Sequence, residues 1–382
     1  ATGGAALAGA VGVFAWRSGR LGGDPPASTS NKVAVLPFKN LSGDTSQDYF
    51  SDGLSEELRS TLARNLKLQV MAQTSSAKFR DHTEDAVTIA SRLGVGYLLD
   101  GTVRRSGEIA RITADLIDGH TGFSRWSQSF DRSLHDIFAV QSEIARTVAS
   151  ALAAEMVPDP KVPAGSAGTL AAEGGTRSAQ AFDAYLKGRA LYDLSADEAS
   201  ERAALAQFDR AIAADPDYAP AHAARARSLT AIANQYGKAG QLQDLYESAI
   251  ESARRAIEIA PGLADAYSTL GFTLFQGKLD ACSAREPFEK SRELGAGEAT
   301  VLARYAQYSA RVGRSQDAAA AIERALLLDK LNPLIHRAAG AIQYAARDYR
   351  ASIPPTRQAL QMNPQMSRAH AAIGDARLML GR

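Results

Sequence analysis

The chain has one cysteine, Cys282, in 382 residues, which excludes an internal disulfide and any cysteine-based zinc site. It has almost no net charge, +1 at neutral pH, so composition makes no electrostatic case for nucleic acid, which would need a basic face or cluster. Its six histidines, at positions 82, 120, 135, 222, 336 and 370, stand apart from carboxylates at metal-binding spacing, and no HExxH occurs. No GK[ST] phosphate loop is present, and Gly94 and Gly96 lack the third glycine and the strand-before-helix context of a dinucleotide loop. These absences leave no candidate catalytic residue, no metal and no cofactor. What remains is an ordinary globular composition, 45% hydrophobic and 22% charged, in a chain long enough for two domains and linkers.

Long apolar runs are also scarce. Residues 1–16 carry no charge and are followed by Arg17 and Arg20. A membrane helix needs about 20 apolar residues, so this segment reads as the last part of one. The tail of a signal peptide and a flexible Ala/Gly leader are the other readings. Residues 1–30 are thus expected to be a truncated membrane segment and linker.

From residue 182 onward the chain repeats itself. RAIAADP ends at Pro216, RAIEIAP at Pro261, RALLLDK at Lys330 and QALQMNP at Pro364. Pro364 lies 34 residues beyond Lys330, and Lys330 lies 34 beyond Ala296 in the degenerate copy ELGAG. Small residues recur in phase at Ala226, Gly271, Ala306, Gly340 and Gly374, where helix backbones must approach closely. A second set falls at Ala249, Ala284, Ala318 and Ser352, and a third at Ala256, Ser291, Ala325 and Ala359. A 34-residue period with two helices per unit is the signature of a tetratricopeptide (TPR) superhelix. The spacing predicts about five helix pairs plus a terminal helix over residues 179–382, with His222, His336 and His370 as inter-helix packing groups.

Residues 31–157 read differently. KVAVLPF (32–38) is a short β-branched run. Residues 49–66 place Phe50, Leu54, Leu58, Leu62 and Leu66 at helical spacing. A strand at 68–72, a helix at 85–93, strands at 97–107, 109–118 and 122–130, and a helix at 134–154 follow. The expectation is an α+β domain, a mixed sheet with helices on one face. NLSGD (40–44) reads as a turn, and Glu56 and Glu57 as solvated acids at a helix start. Residues 158–178, rich in Pro, Gly, Ala and Ser, read as a linker.

VAVLPFKNLSGD (33–44), YFSDGLSEEL (49–58), LGVGYLLDGTVRRSG (93–107) and LIDGHTGFSRWSQSFDRSLHDIFAVQSEIA (116–145) resemble the TolB-amino-terminal-like domain. AFDAYLKGRALYDLS (181–195) is similar to the TPR that usually follows it. In relatives the pair sits behind a membrane helix, after a winged-helix regulator domain or a class III adenylate cyclase domain. The resemblance implies the sensory or scaffold region of a bacterial inner-membrane signalling protein, with the soluble part periplasmic. Arg17 and Arg20 favour the cytoplasm instead. Two other functions stay open: the regulatory part of a cyclase, and a membrane-anchored envelope assembly factor.

The expected site is the inner wall of the superhelix, a groove for a protein or peptide. Its positions fall at Arg227, Phe272, Phe275, Gln307, Arg311, Arg337, Tyr344 and Arg368, with Asp265 and Asp375 among them. Guanidiniums outnumber carboxylates there, which points to an acidic partner, since arginine forks match carboxylates bidentately. Ordinary solvated surface arginine is the competing reading. No oligomeric state follows from the sequence.

Overall fold

The computed structural model describes residues 31–63, 68–81, 83–107, 109–133, 136, 140, 143–148, 150–151, 174–193 and 197–381. The apolar segment at 1–16, residues 64–66 at the end of the first expected helix, most of the expected linker, His82 and His135 lie outside them. So does much of the helix expected at 134–154, although its Val140, Ile144 and Val148 are described and buried.

The N-terminal region is built on β1 (Lys32–Val35), β2 (Lys39–Asn40), β3 (Gln69–Val70), β4 (Tyr97–Ser106), β5 (Ile109–Asp118) and β6 (Ser124–Ser133). Their order is β3-β1-β4-β5-β6, with β2 also pairing β4. β1 runs parallel to both β3 and β4, while β4, β5 and β6 form an antiparallel meander. α1 (Asp48–Ala63) buries Phe50, Leu54, Leu58 and Leu62 as one stripe. The mixed sheet and its helices match expectation, but the helices cover both faces, not one. Val33 and Val35 pack with Leu54 and Leu58, whereas Ala34 and Leu36 pack with Ile89 and Leu93 of α3 (Ala86–Leu93). Side chains alternate across a strand, so a run apolar at every residue needs cover on both sides. α2 (Gln73–Ser76) precedes α3.

NLSGD is a self-satisfied turn. Asn40 Nδ2 donates to Asp44 O and to Asp48 Oδ1, Ser42 N donates to Asn40 Oδ1, and Gly43 has φ +77°. Gly94, at φ +68°, closes α3 as a left-handed cap.

Among the described residues eleven α-helices follow: α4 (Ala179–Asp193), α5 (Glu198–Ala214), α6 (Ala219–Tyr236), α7 (Leu242–Ile259), α8 (Ala264–Gly277), α9 (Arg285–Leu294), α10 (Ala299–Arg311), α11 (Ser315–Leu328), α12 (Pro333–Ala345), α13 (Tyr349–Met362) and α14 (Ser367–Met379). Consecutive helices pair, from α4 with α5 to α12 with α13, and α14 packs on α13. The small residues sit where one helix crosses the next. A Cβ on Gly271 would come within 3.0 Å of the Phe288 ring, and one on Gly340 within 2.1 Å of Thr356 Oγ1. At Gly374, in the last helix, nothing lies within 4 Å. Gly188 is a further member of the set, its Cβ position 2.6 Å from the Phe208 ring.

The recurring histidines fasten turns. His222, His336 and His370 each place Nε2 2.8–2.9 Å from the carbonyl oxygen of the residue six earlier, Pro216, Lys330 and Pro364. Each therefore ties the start of one helix to the turn preceding it, a polar task that spacing alone had assigned to packing.

The two regions share one core. Phe50, Leu54 and Leu58 of α1 cluster with Phe182 and Leu186 of α4 and Phe208 of α5. The Phe50 and Phe182 rings meet edge-on at 6.5 Å. A Cβ on Gly53 would lie 2.5 Å from Leu186, so close approach of α1 and α4 depends on that glycine.

Candidate functional site

The first helices of the pairs turn inward together and enclose a cleft of about 490 Å³. Its wall comes from Tyr192 of α4, Arg227, Thr230, Ala231, Asn234 and Gln235 of α6, Thr269 and Phe272 of α8, and Arg304 of α10. Leu334 and Arg337 of α12, then residues 365–368 at the start of α14, complete it. Of the groove residues read from sequence, Arg227, Phe272, Arg337 and Arg368 come together here.

Phe275, Gln307, Arg311 and Tyr344 do not line this cleft. Phe275 meets Phe288 and Tyr308 edge-on, filling space between helices. The Arg311 guanidinium lies 5.8 Å from the Phe275 ring centre. Gln307 Nε2 donates to Ala303 O in its own helix, and Tyr344 packs against Tyr349. Asp375 is exposed on α14.

The cleft is electropositive. Arg227 and Arg304 share one carboxylate, Asp265, at 3.3 and 3.7 Å. Each also stacks on a ring, Arg227 over Tyr192 at 5.1 Å and Arg304 over Phe272 at 5.3 Å. Burial works against the charge of Arg227, but Asp265 and the nearby tyrosines more than offset it, and its pKa sits above the ordinary value. Arg227 Nε is buried without a hydrogen-bond partner. Arg304 is pulled below its ordinary value, chiefly by burial. So is Arg337, first by burial and then by Arg368 and Arg311, both positive. Clustered guanidiniums held out of bulk water favour an anionic occupant.

Tyr192 and Arg304 were missed in the sequence. Tyr192 stands four residues after Gly188, as Phe275 does after Gly271 and Tyr344 after Gly340. Extending the register one unit upstream would have found it. Arg304 belongs to no groove position by spacing; its long side chain reaches the cleft over Phe272.

That same extension places Arg189 in register with Arg227, since each follows its small residue. Arg189 is met by the chain's own carboxylates. Its guanidinium lies 3.4 Å from Glu57 Oε1 and 3.6 Å from Glu56 Oε1, both on α1. Glu56 is 8% exposed and grips Arg59 bidentately at 2.7 and 2.8 Å. Burial alone would raise the Glu56 pKa; Arg59 and Arg189 reverse that and hold it below the ordinary carboxylate value. The expectation that Glu56 is a solvated acid is therefore corrected: docking of α1 on α4 removes it from water.

Among the described residues, no three His, Cys, Asp or Glu side chains converge to hold a metal ion, and no helix is long and apolar enough to cross a membrane.

Comparison with known proteins adds three findings. Residues 28–147 match the family model described as HilA/YgeH-like transcriptional regulator, second domain, on the stretch whose sequence resembles the TolB-like domain. Over 254 residues the chain is 34% identical to a protein of Rhizobium meliloti (strain 1021) named "Putative adenylate cyclase 3". That alignment covers 66% of this chain and 42% of the relative, so the chain spans about two fifths of the length of the curated relative it matches. Among solved structures, a thermophilic TPR protein of Thermus thermophilus is similar over 52% of this chain and 99% of its own, at 20% identity and a TM-score of 0.42. Human IFIT1, solved as a dimer with m7Gppp-AAAA, is similar over 52% of this chain and 47% of its own, at 17% identity and a TM-score of 0.45. The likeness to both is one of fold alone.

Proposed function

We propose that this chain is a non-catalytic, protein-binding region of a bacterial membrane signalling protein, whose helical array receives an acidic polypeptide segment in the cleft. The observation that carries this reading is the surplus of guanidiniums along the inner wall: Arg227 and Arg304 share Asp265, while Arg337 is met by two further positive side chains, Arg368 and Arg311. Arg189 supports it: at the equivalent position of the first pair, the occupant is a helix presenting Glu56 and Glu57. Arginine forks and flat aromatic rings suit an extended acidic segment with some apolar surface.

The test is titration calorimetry of a glutamate-rich peptide against the full chain, with a lysine-rich peptide as control. The wild type should bind only the acidic probe, more weakly as salt rises. Arg337→Ala with Arg368→Ala should lower affinity about tenfold or more while leaving the melting temperature unchanged, because neither removal orphans a buried carboxylate. Equal binding of both probes, or unchanged affinity in the double variant, refutes the reading. Anchoring through residues 1–16 and a periplasmic soluble part belong to the same proposal. A phosphatase reporter fused at Arg382 checks the topology, and an inactive reporter discards the periplasmic placement.

A second reading is favoured by the relative named for adenylate cyclase, of which this chain matches 42%. In it the chain is the regulatory part of a cyclase, and the cleft receives a segment that controls it. Cyclic AMP formation by the full-length gene product supports this reading; its absence removes it.

A further inference from the structure

The N-terminal region touches the array at three separated places. At α4, Phe182 and Leu186 enter the core beneath α1, Tyr49 Oη donates to Asp183 Oδ1, and Arg189 reaches Glu56 and Glu57. At the turn before α10, a Cβ on Gly297 would lie 2.8 Å from Ala63 O, and the charge of Glu298 acts on Arg59. At the turn before α12, Ala72 N donates to Leu328 O at 2.8 Å. There Ser75 Oγ donates to Asp329 Oδ1 at 2.7 Å and accepts from Leu331 N at 3.0 Å. Asn332 Nδ2 closes the group on Asp329 Oδ2 at 2.7 Å. Ser75 is fully buried and Asp329 1% exposed.

A stacked helical array is soft along its length, because each pair contacts mainly its neighbours and small changes in pitch accumulate. Here one rigid sheet domain grips the first pair and the turn between the fourth and fifth, so the pitch between them is pinned. The cleft spans this stretch and runs past it, from Tyr192 of α4 through Arg337 of α12 to residues 365–368.

We propose that the N-terminal region is a built-in strut that fixes the width of the cleft, with the Ser75–Asp329–Leu331 group as its far fastening. Releasing that fastening lets the array change pitch while both regions stay folded, so docking of the strut and occupancy of the cleft are thermodynamically coupled. The coupling rests on the cleft being the binding site; the strut itself does not.

The experiment uses the full chain with Cys282→Ser and cysteines placed at Gln235 and Gln365, two lining residues of the cleft, for spin-label distance measurement. Two fastening variants are compared with the parent. Ser75→Ala removes the hydroxyl. Ala72→Pro removes the donor to Leu328 at a position whose φ, −70°, already suits proline. Both should keep parental helical circular dichroism. Both should broaden or shift the Gln235–Gln365 distance distribution, and amide exchange at Leu331 should quicken about tenfold or more. On unlabelled chains that keep Gln235 and Gln365, the glutamate-rich peptide should then lose affinity in the fastening variants, and in the parent it should protect Leu331 from exchange. A distribution as narrow as the parent's in both variants overturns the strut. A broadened distribution with no peptide binding even in the parent leaves the strut standing and discards the acidic cleft.

Discussion

In the sheet region, hydrogen bonds between distant residues, β1 to β3 and β1 to β4, tie the local β4–β5–β6 meander into one sheet. In the array the helix-forming bonds are local, and each pair packs chiefly on the next. The sheet region therefore holds its shape as a unit, while the array owes its curvature to a series of small crossings at Gly188, Ala226, Gly271, Ala306 and Gly340. The sheet region meets the array at three separated places, at α4 and at the turns before α10 and α12. The difference shows in where charge is buried. The array keeps most of its ion pairs on the surface, for instance Arg202–Glu198 and Lys290–Glu293. Glu56, Arg59 and Arg189, by contrast, are sequestered where the two regions meet.

The sharpest way to break this comparison is at that seam. Glu56→Ala leaves Arg59 buried without its bidentate partner and Arg189 with Glu57 as its remaining α1 carboxylate, and should destabilise by about 3–5 kcal/mol. Chemical denaturation should show both regions losing stability together; two separate transitions, with the array unaffected, would mean that the seam does not couple them. Next comes the array alone. Gly271→Leu forces a side chain into the Phe288 ring and should cost about 1–3 kcal/mol. Gly374→Leu, which meets nothing, should stay within about 0.5 kcal/mol of the parent or gain slightly from better helix propensity. Equal melting temperatures for the two variants would contradict the register.

The sheet region should respond to acid at Asp118. Burial would raise its carboxyl, but Arg125 and the backbone amides of His120 and Thr121 bring its pKa down to about 2. A depressed acid contributes stability that is fully present above its unfolded value of about 3.8 and is lost as pH falls toward 2. Solvent around the half-exposed Arg125 screens that contribution, which is therefore below about 2 kcal/mol. Asp118→Asn should therefore flatten the fall in stability between pH 4 and 2, measured by urea unfolding. The smallest effect is expected at a turn. His336→Ala removes the contact with Lys330 O and should cost about 0.5–1.5 kcal/mol, read as a small drop in melting temperature.

Much of this architecture was legible in advance. The phase of Ala226, Gly271 and Gly340 located helix crossings because a helix has one spacing at which backbones can touch. The alternation in β5, with Ala110, Ile112, Ala114 and Leu116 buried, was equally readable. Half of the expected groove residues reached the cleft. Phe275 did not, because an aromatic ring at a groove position can turn into the gap between neighbouring helices when Phe288 and Tyr308 leave room for it. Glu56 was misread for a related reason. A charged pair near the start of a helix looks the same in a sequence whether water or another helix covers it.

The sequence by itself determined the two regions, the helical repeat and the surplus of arginine along one wall, because periodic patterns record which face of an element is buried. Only the tertiary structure decided that α1 lies on α4, that Ser75 reaches Asp329 more than 250 residues away, and that four arginines enclose one cleft. Those contacts join residues with no common period, and their partners are chosen by how rigid bodies fit once the local elements have formed.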